Sequence, residues 1–211
     1  MTIQSERAPY PFEGRLKSGD GLKWHAYARV DKYSPDQVKY ATALYGGLEP
    51  DGRGLHGLFA VPEDGHAEAH GNLLVTVGLD AITKLLINTG GPQAFSGPTR
   101  AIVGVGATAT AATIADTALG ADGGSAYYQG CDNSNPTQAN GVITTVATFA
   151  SGNGNFAWAE WCWATCTGSI TPGATLASVA TGTKLWNHRI QSLGTKGSGA
   201  SWVFTSTITL S

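Results

Sequence analysis

Two imidazoles four residues apart, in His66-Ala67-Glu68-Ala69-His70, form the spacing in this chain best suited to a metal, because on a helix they would share a face and could hold zinc. A zinc protease places its glutamate directly after the first histidine, whereas Glu68 stands one position later, and Gly65 and Gly71 bracket a stretch too short for a stable helix. A solvated loop without metal is expected there. Gly104-Val105-Gly106 follows an apolar run as a dinucleotide loop would, but the third glycine is missing and no strong helical stripe follows, so it reads as a strand end and turn. Serines and threonines abound without a Gly-x-Ser-x-Gly elbow or a paired His and Asp spacing. Beyond residue 100 the carboxylates are Asp116, Asp122, Asp132 and Glu160, and no acid–base pair or metal triad is legible among them. The expectation is a protein that is not an enzyme, with no catalytic residue and no cofactor.

Binding chemistry has more candidates. Trp161 and Trp163 alternate on a strand whose other side carries Phe156 and Trp158, so one pair of indoles could be exposed and stack on a sugar, although indoles on a central strand are more often core. Asp132-Asn133-Ser134-Asn135-Pro136 is rich in oxygen ligands, but no glutamate closes a calcium loop, and the composition is that of a turn. Asn187-His188-Arg189 falls in a strand whose Leu185, Ile190 and Leu193 are expected to supply the core.

The elements that position these residues follow from composition. In 211 residues there are 29 glycines, roughly twice the usual share, with a further bias to Ala, Thr and Ser that suits short strands and tight turns. A net charge of −2 gives nucleic acid no basic footprint, and no apolar run is long enough to cross a membrane. The start, from Met1 to Arg15, lacks the pattern of a secretory signal, so the expected place of synthesis is a cytoplasm. The three cysteines, Cys131, Cys162 and Cys166, are an odd number that suits a reducing compartment. On one strand Cys162 and Cys166 would lie about 13 Å apart, too far for a disulfide. Of 13 basic and 15 acidic residues, only Asp116, Asp122, Asp132, Glu160, Lys184, Arg189 and Lys196 fall after residue 100. So uncharged an exterior is a solubility liability for a free monomer and is expected to be covered by neighbouring subunits.

The expected fold is mainly β: a C-terminal β-sandwich of about six or more short strands, preceded by an extended N-terminal arm and two short helices. Residues 1–70 would form the arm with one helix, and residues 71–211 the second helix and the sandwich. In residues 1–33, Pro9, Pro11, Gly14, Gly19 and Gly21 preclude a long helix, while Tyr10, Phe12, Trp24, Tyr27 and Tyr33 are candidate partner-binding anchors. Ser34-Pro35-Asp36 predicts a helix start and Gly46-Gly47 its stop. A second helix is predicted from about Leu79 to Asn88, with a glycine-rich loop between the two. Strands are predicted over 100–105, 125–129, 142–149, 155–162, 185–193 and 201–210. In the last, Trp202, Phe204, Ile208 and Leu210 should face a core while Val203, Thr205, Thr207 and Thr209 face water.

From residue 71 onward the order of segments resembles small β-rich virion structural proteins of tailed bacteriophages, of the type found in actinobacteriophages. The resemblance is carried by Gly71-Asn72-Leu73-Leu74-Val75-Thr76-Val77-Gly78-Leu79, by Arg100-Ala101-Ile102-Val103-Gly104-Val105-Gly106, and by an Ala/Thr stretch ending in Asp116 and Leu119. It continues through Ala147-Thr148-Phe149, Gly154-Asn155-Phe156-Ala157-Trp158, Glu160-Trp161 and Leu193-Gly194-Thr195-Lys196, with Ser198-Gly199 before a Thr-rich last strand. The resemblance implies a small virion component on the capsid shell or the tail, and the charge-poor β half with the aromatic arm leads to the expectation of a capsid decoration protein bound to the major capsid protein and to copies of itself, as a trimer. It implies no catalytic residues. The alternative it leaves is a minor tail or fibre component that binds a host-surface glycan.

Overall fold

The computed structural model describes residues 24–71, 73–87, 89, 97 and 99–210. Among these residues ten strands form two antiparallel five-stranded sheets that pack as a sandwich, so the mainly β expectation holds. Sheet A contains β1 (Trp24–Tyr33), β2 (His66–His70), β6 (Thr137–Ala139), β7 (Val142–Phe149) and β10 (Ser201–Leu210), in the order β2-β1-β10-β7-β6. Sheet B contains β3 (Leu73–Leu74), β4 (Ala101–Gly106), β5 (Ala126–Gly130), β8 (Ala157–Thr165) and β9 (Lys184–Thr195), in the order β3-β9-β8-β4-β5. The helices of the described residues, α1 (Pro35–Leu44), α2 (Gly52–Leu58), α3 (Thr76–Leu86) and α4 (Leu176–Val179), lie in the connections.

The period of two along each strand builds the central core. Trp202, Phe204 and Ile208 of β10 point inward with Ala26, Ala28 and Val30 of β1, and meet Val103 and Val105 of β4 and Trp161 and Trp163 of β8. A bulge between Trp158 and Glu160 resets the alternation of β8, so Trp158, Trp161 and Trp163 all enter one core instead of dividing between two faces. Trp158 packs edge-on against Phe149 and Trp202, with ring centroids 4.7 and 4.8 Å away.

Each sheet also buries part of its outer face. Over sheet A, α1 and α2 enclose Tyr33, Val38, Ala41, Leu55 and Val203, so Val203 is buried where the sequence suggested a wet face. Over sheet B, the 107–124 connection and α4 cover Ile102, Tyr128, Cys162, Ala164 and Leu185. The first helix starts where predicted: Ser34 Oγ accepts the amide of Gln37, and the Gln37 side chain accepts the amide of Ser34.

Three expectations change. Residues 24–33 are no arm but an inner strand of sheet A, paired along its whole length with β10, so the proposed boundary at residue 70 runs through the sandwich. The reason is the alternation of small Ala26, Ala28 and Val30 with larger Tyr27, Arg29 and Asp31, which fits a half-buried strand. The predicted glycine-rich loop contains α2, β2 and β3. The second helix begins earlier, at Thr76, and its first turn lies close against β9: a Cβ on Gly78 would fall 2.6 Å from Trp186 Cα.

Candidate interaction surface and buried polar clusters

The residues singled out from sequence separate clearly in space. Tyr10 and Phe12 lie outside the described residues, and Trp24 opens β1. Tyr27 is half-buried on the outer side of sheet A, its ring 5.1 Å from that of His70. Tyr33 is fully buried beneath α1 and α2, and therefore cannot anchor a partner. Trp161 and Trp163 are likewise buried, because the bulge in β8 turns both into the inter-sheet core, where Trp163 Nε1 donates to Ser206 Oγ at 2.6 Å. The two indoles considered for stacking on a glycan are core residues.

His66, Glu68 and His70 sit on one side of β2, a strand and not a loop, with both imidazoles at 3.7–3.9 Å from Glu68. Among the described residues no group of three His, Cys, Asp or Glu is arranged to hold a metal ion. Asp132 is a structural anchor: Oδ1 accepts the Thr148 amide at 2.9 Å, and Oδ2 accepts the Thr148 hydroxyl at 2.6 Å and the Gly52 amide at 3.2 Å, tying α2 to β7. Cys131, Cys162 and Cys166 are all free and buried. Burial pushes the Cys131 thiol up to about 12.

Folding brings together one cluster that the sequence did not reveal. His188 on β9 lies between two carboxylates, with Nδ1 at 2.6 Å from Asp116 Oδ2 and Nε2 at 2.7 Å from Glu160 Oε2. Glu160 on β8 is completely buried, and its oxygens also accept the amides of Gly120 and Ala121 at 2.8 and 2.9 Å. Asp116, part-exposed, accepts the amide and hydroxyl of Thr113. Gly106 leaves room for this carboxylate, since a Cβ there would fall on Glu160 Oε1 and 2.9 Å from its Cδ.

The electrostatics follow from those contacts. Burial acts to lower the His188 pKa, but hydrogen bonds to Glu160 and Asp116 outweigh it and the net shift is upward. Burial acts to raise the Asp116 pKa, and its bonds to Thr113 and His188 bring the net shift downward. With a carboxylate against each ring nitrogen, at 2.6 and 2.7 Å, the imidazole is held in one orientation. Its geometric effect is to fasten the 107–124 connection to sheet B.

The solvent side offers a different kind of site. Tyr40 and Leu44, one turn apart on α1, are exposed with Tyr45 and Leu48 just beyond, and Leu48 is 75% exposed. Tyr40 touches Phe59 at the end of α2, ring centroids 6.2 Å apart, which extends this apolar stripe toward exposed Leu58 and Val61. On α3, Leu79 and Leu86 are exposed on one side, with Ile87 following. Comparison with known proteins finds no matching family model, no matching curated protein and no matching solved structure.

Proposed function

We propose that this chain is a structural virion protein of a tailed phage, most directly a capsid decoration protein that binds the major capsid protein and associates with copies of itself. The observation that carries this reading is the apolar stripe of Tyr40, Leu44, Tyr45, Leu48 and Val61 over the outer side of sheet A. Grouped large apolar side chains on a folded domain mark contact surfaces. Two further features support it. The sandwich carries three packed apolar clusters, as a shell component requires for rigidity. Its most deeply buried acid–base cluster has both imidazole nitrogens engaged by carboxylates and serves as a fastening.

In this reading the α1–α2 side packs against shell subunits, and residues 1–23, with Tyr10 and Phe12, add contacts. Co-sedimentation of the purified chain with phage shells that lack it tests the proposal. Binding should saturate and should weaken at least tenfold in a Leu44→Glu, Leu48→Glu variant that remains folded. A chain that stays in the supernatant at every concentration, with native circular dichroism, would overturn the assignment.

A further inference from the structure

Lys196 lies just beyond β9 and is only 1% exposed, a rare position for a lysine without a carboxylate against its ammonium. Its Nζ donates to two neutral oxygens, Ala150 O at 2.8 Å and Asn155 Oδ1 at 2.7 Å. Both belong to the 150–156 connection between β7 and β8. That connection is held to the β9–β10 connection on either side of the pair, by Lys196 N to Phe156 O at 3.1 Å and Gly199 N to Ser151 O at 3.3 Å. Trp158 Nε1 secures the turn by donating to Gly154 O at 2.8 Å. The Asn155 carboxamide is fixed at its other end by Nδ2 donating to Ser151 O at 3.0 Å.

We propose that Lys196 and Asn155 are the two halves of an intramolecular amide cross-link, formed when the lysine Nζ displaces ammonia from the asparagine carboxamide. A hydrogen bond of this length to a carbonyl oxygen places the donor nitrogen roughly 3.5 Å from the carbonyl carbon, within the range of near-attack geometry. Rotation of the exposed carboxamide about its Cβ–Cγ bond, which releases the Nδ2 bond to Ser151 O, presents its face to Nζ. A C–N bond then forms between Nζ and Cγ, and the Cγ–Nδ2 bond breaks. One proton passes from Nζ to Nδ2, with solvent at Asn155 as the carrier, and Nδ2 leaves as ammonia. Nothing is oxidised or reduced, and no co-reactant is consumed.

The nucleophile must be the neutral amine, and burial supplies it by lowering the Lys196 pKa to about 8, against the opposing charge of Glu49. Glu49 is itself fixed by the Ser151 amide and hydroxyl and by the Ser201 hydroxyl, so its charge is held beside the same connection. The product would close a covalent loop between positions 41 apart, joining the β7–β8 and β9–β10 connections at one end of the sandwich.

Mass spectrometry of the full chain, held in neutral buffer until its mass stops changing, tests the assignment. The expected result is a mass lower than that of the sequence by one ammonia, with a branched peptide joining Asn155 to Lys196. The loss should disappear in the Asn155→Ala and Lys196→Arg variants. The unaltered sequence mass would overturn the proposal. So would an ammonia loss that maps to a cyclic imide at Asn153-Gly154 or Asn140-Gly141.

Discussion

Replacing His188 with alanine removes the imidazole from between Asp116 and Glu160 and leaves the fully buried Glu160 carboxylate with just the Gly120 and Ala121 amides as partners. Breaking a buried ion pair from one side costs about 3–5 kcal/mol, because the remaining charge stays desolvated. Asp116 is part-exposed and recovers water, so its share is at most about 1 kcal/mol. For a chain of this size each kcal/mol lowers Tm by about 2–4 °C, giving a fall of roughly 10 °C. Urea titration followed by tryptophan fluorescence reads the change, since Trp158, Trp161, Trp163 and Trp202 line the core.

The pH dependence fixes the mechanism. The folded pKa of His188 is raised, so its contribution is complete below the unfolded value of about 6.5 and fades as pH rises through the folded value. The folded pKa of Asp116 is lowered, so its contribution is complete above about 3.9 and is lost as pH falls through the folded value. The stability gap between wild type and His188→Ala should therefore be widest between about pH 4 and 6.5 and narrow above it. Adding Glu160→Gln to the variant should recover part of the loss. A gap below about 0.5 kcal/mol at pH 6, or one that widens toward pH 9, would refute the reasoning.

Other outcomes follow from the same geometry. Gly106→Ala should destabilise by about 2 kcal/mol in urea titration, because the added methyl overlaps the Glu160 carboxylate. Ser34→Ala should cost about 1 kcal/mol by removing the cap of α1 and its bond to Glu63. A thiol reagent should label none of the three cysteines until the chain is unfolded, because all are buried and their pKa values are raised by that burial.

The longer strands after residue 100 were legible because apolar residues recur along them between clusters of Gly, Asn and Ser, whereas the three-residue β6, exposed throughout, carries no such signal. β10 is the clearest, with Trp202, Phe204 and Ile208 on one side. The start of α1 was legible in Ser34-Pro35-Asp36. β1 and β2 were missed although they alternate, because their inward positions are mostly alanine, too small to stand out as a core signal. Trp161 and Trp163 are core, the commoner place for indoles on a central strand, but that they share one face with Trp158 depends on the irregularity between Trp158 and Glu160, which a strict period of two does not anticipate. The Asp116–His188–Glu160 cluster left no trace in spacing: Glu160 and Asp116 are 28 and 72 residues from His188, and the register of β8 with β9 brings in the first while the 107–124 connection brings in the second. Lys196 and Asn155 were likewise separated in the chain and joined by two connections at one end of the sandwich.

The most direct measurement is quantitative mass spectrometry of purified phage particles separated into heads and tails. A capsid decoration protein should appear in the head fraction in fixed stoichiometry with the major capsid protein, in amounts comparable to it. Absence from both fractions, with the chain abundant in the infected-cell lysate, would contradict the account.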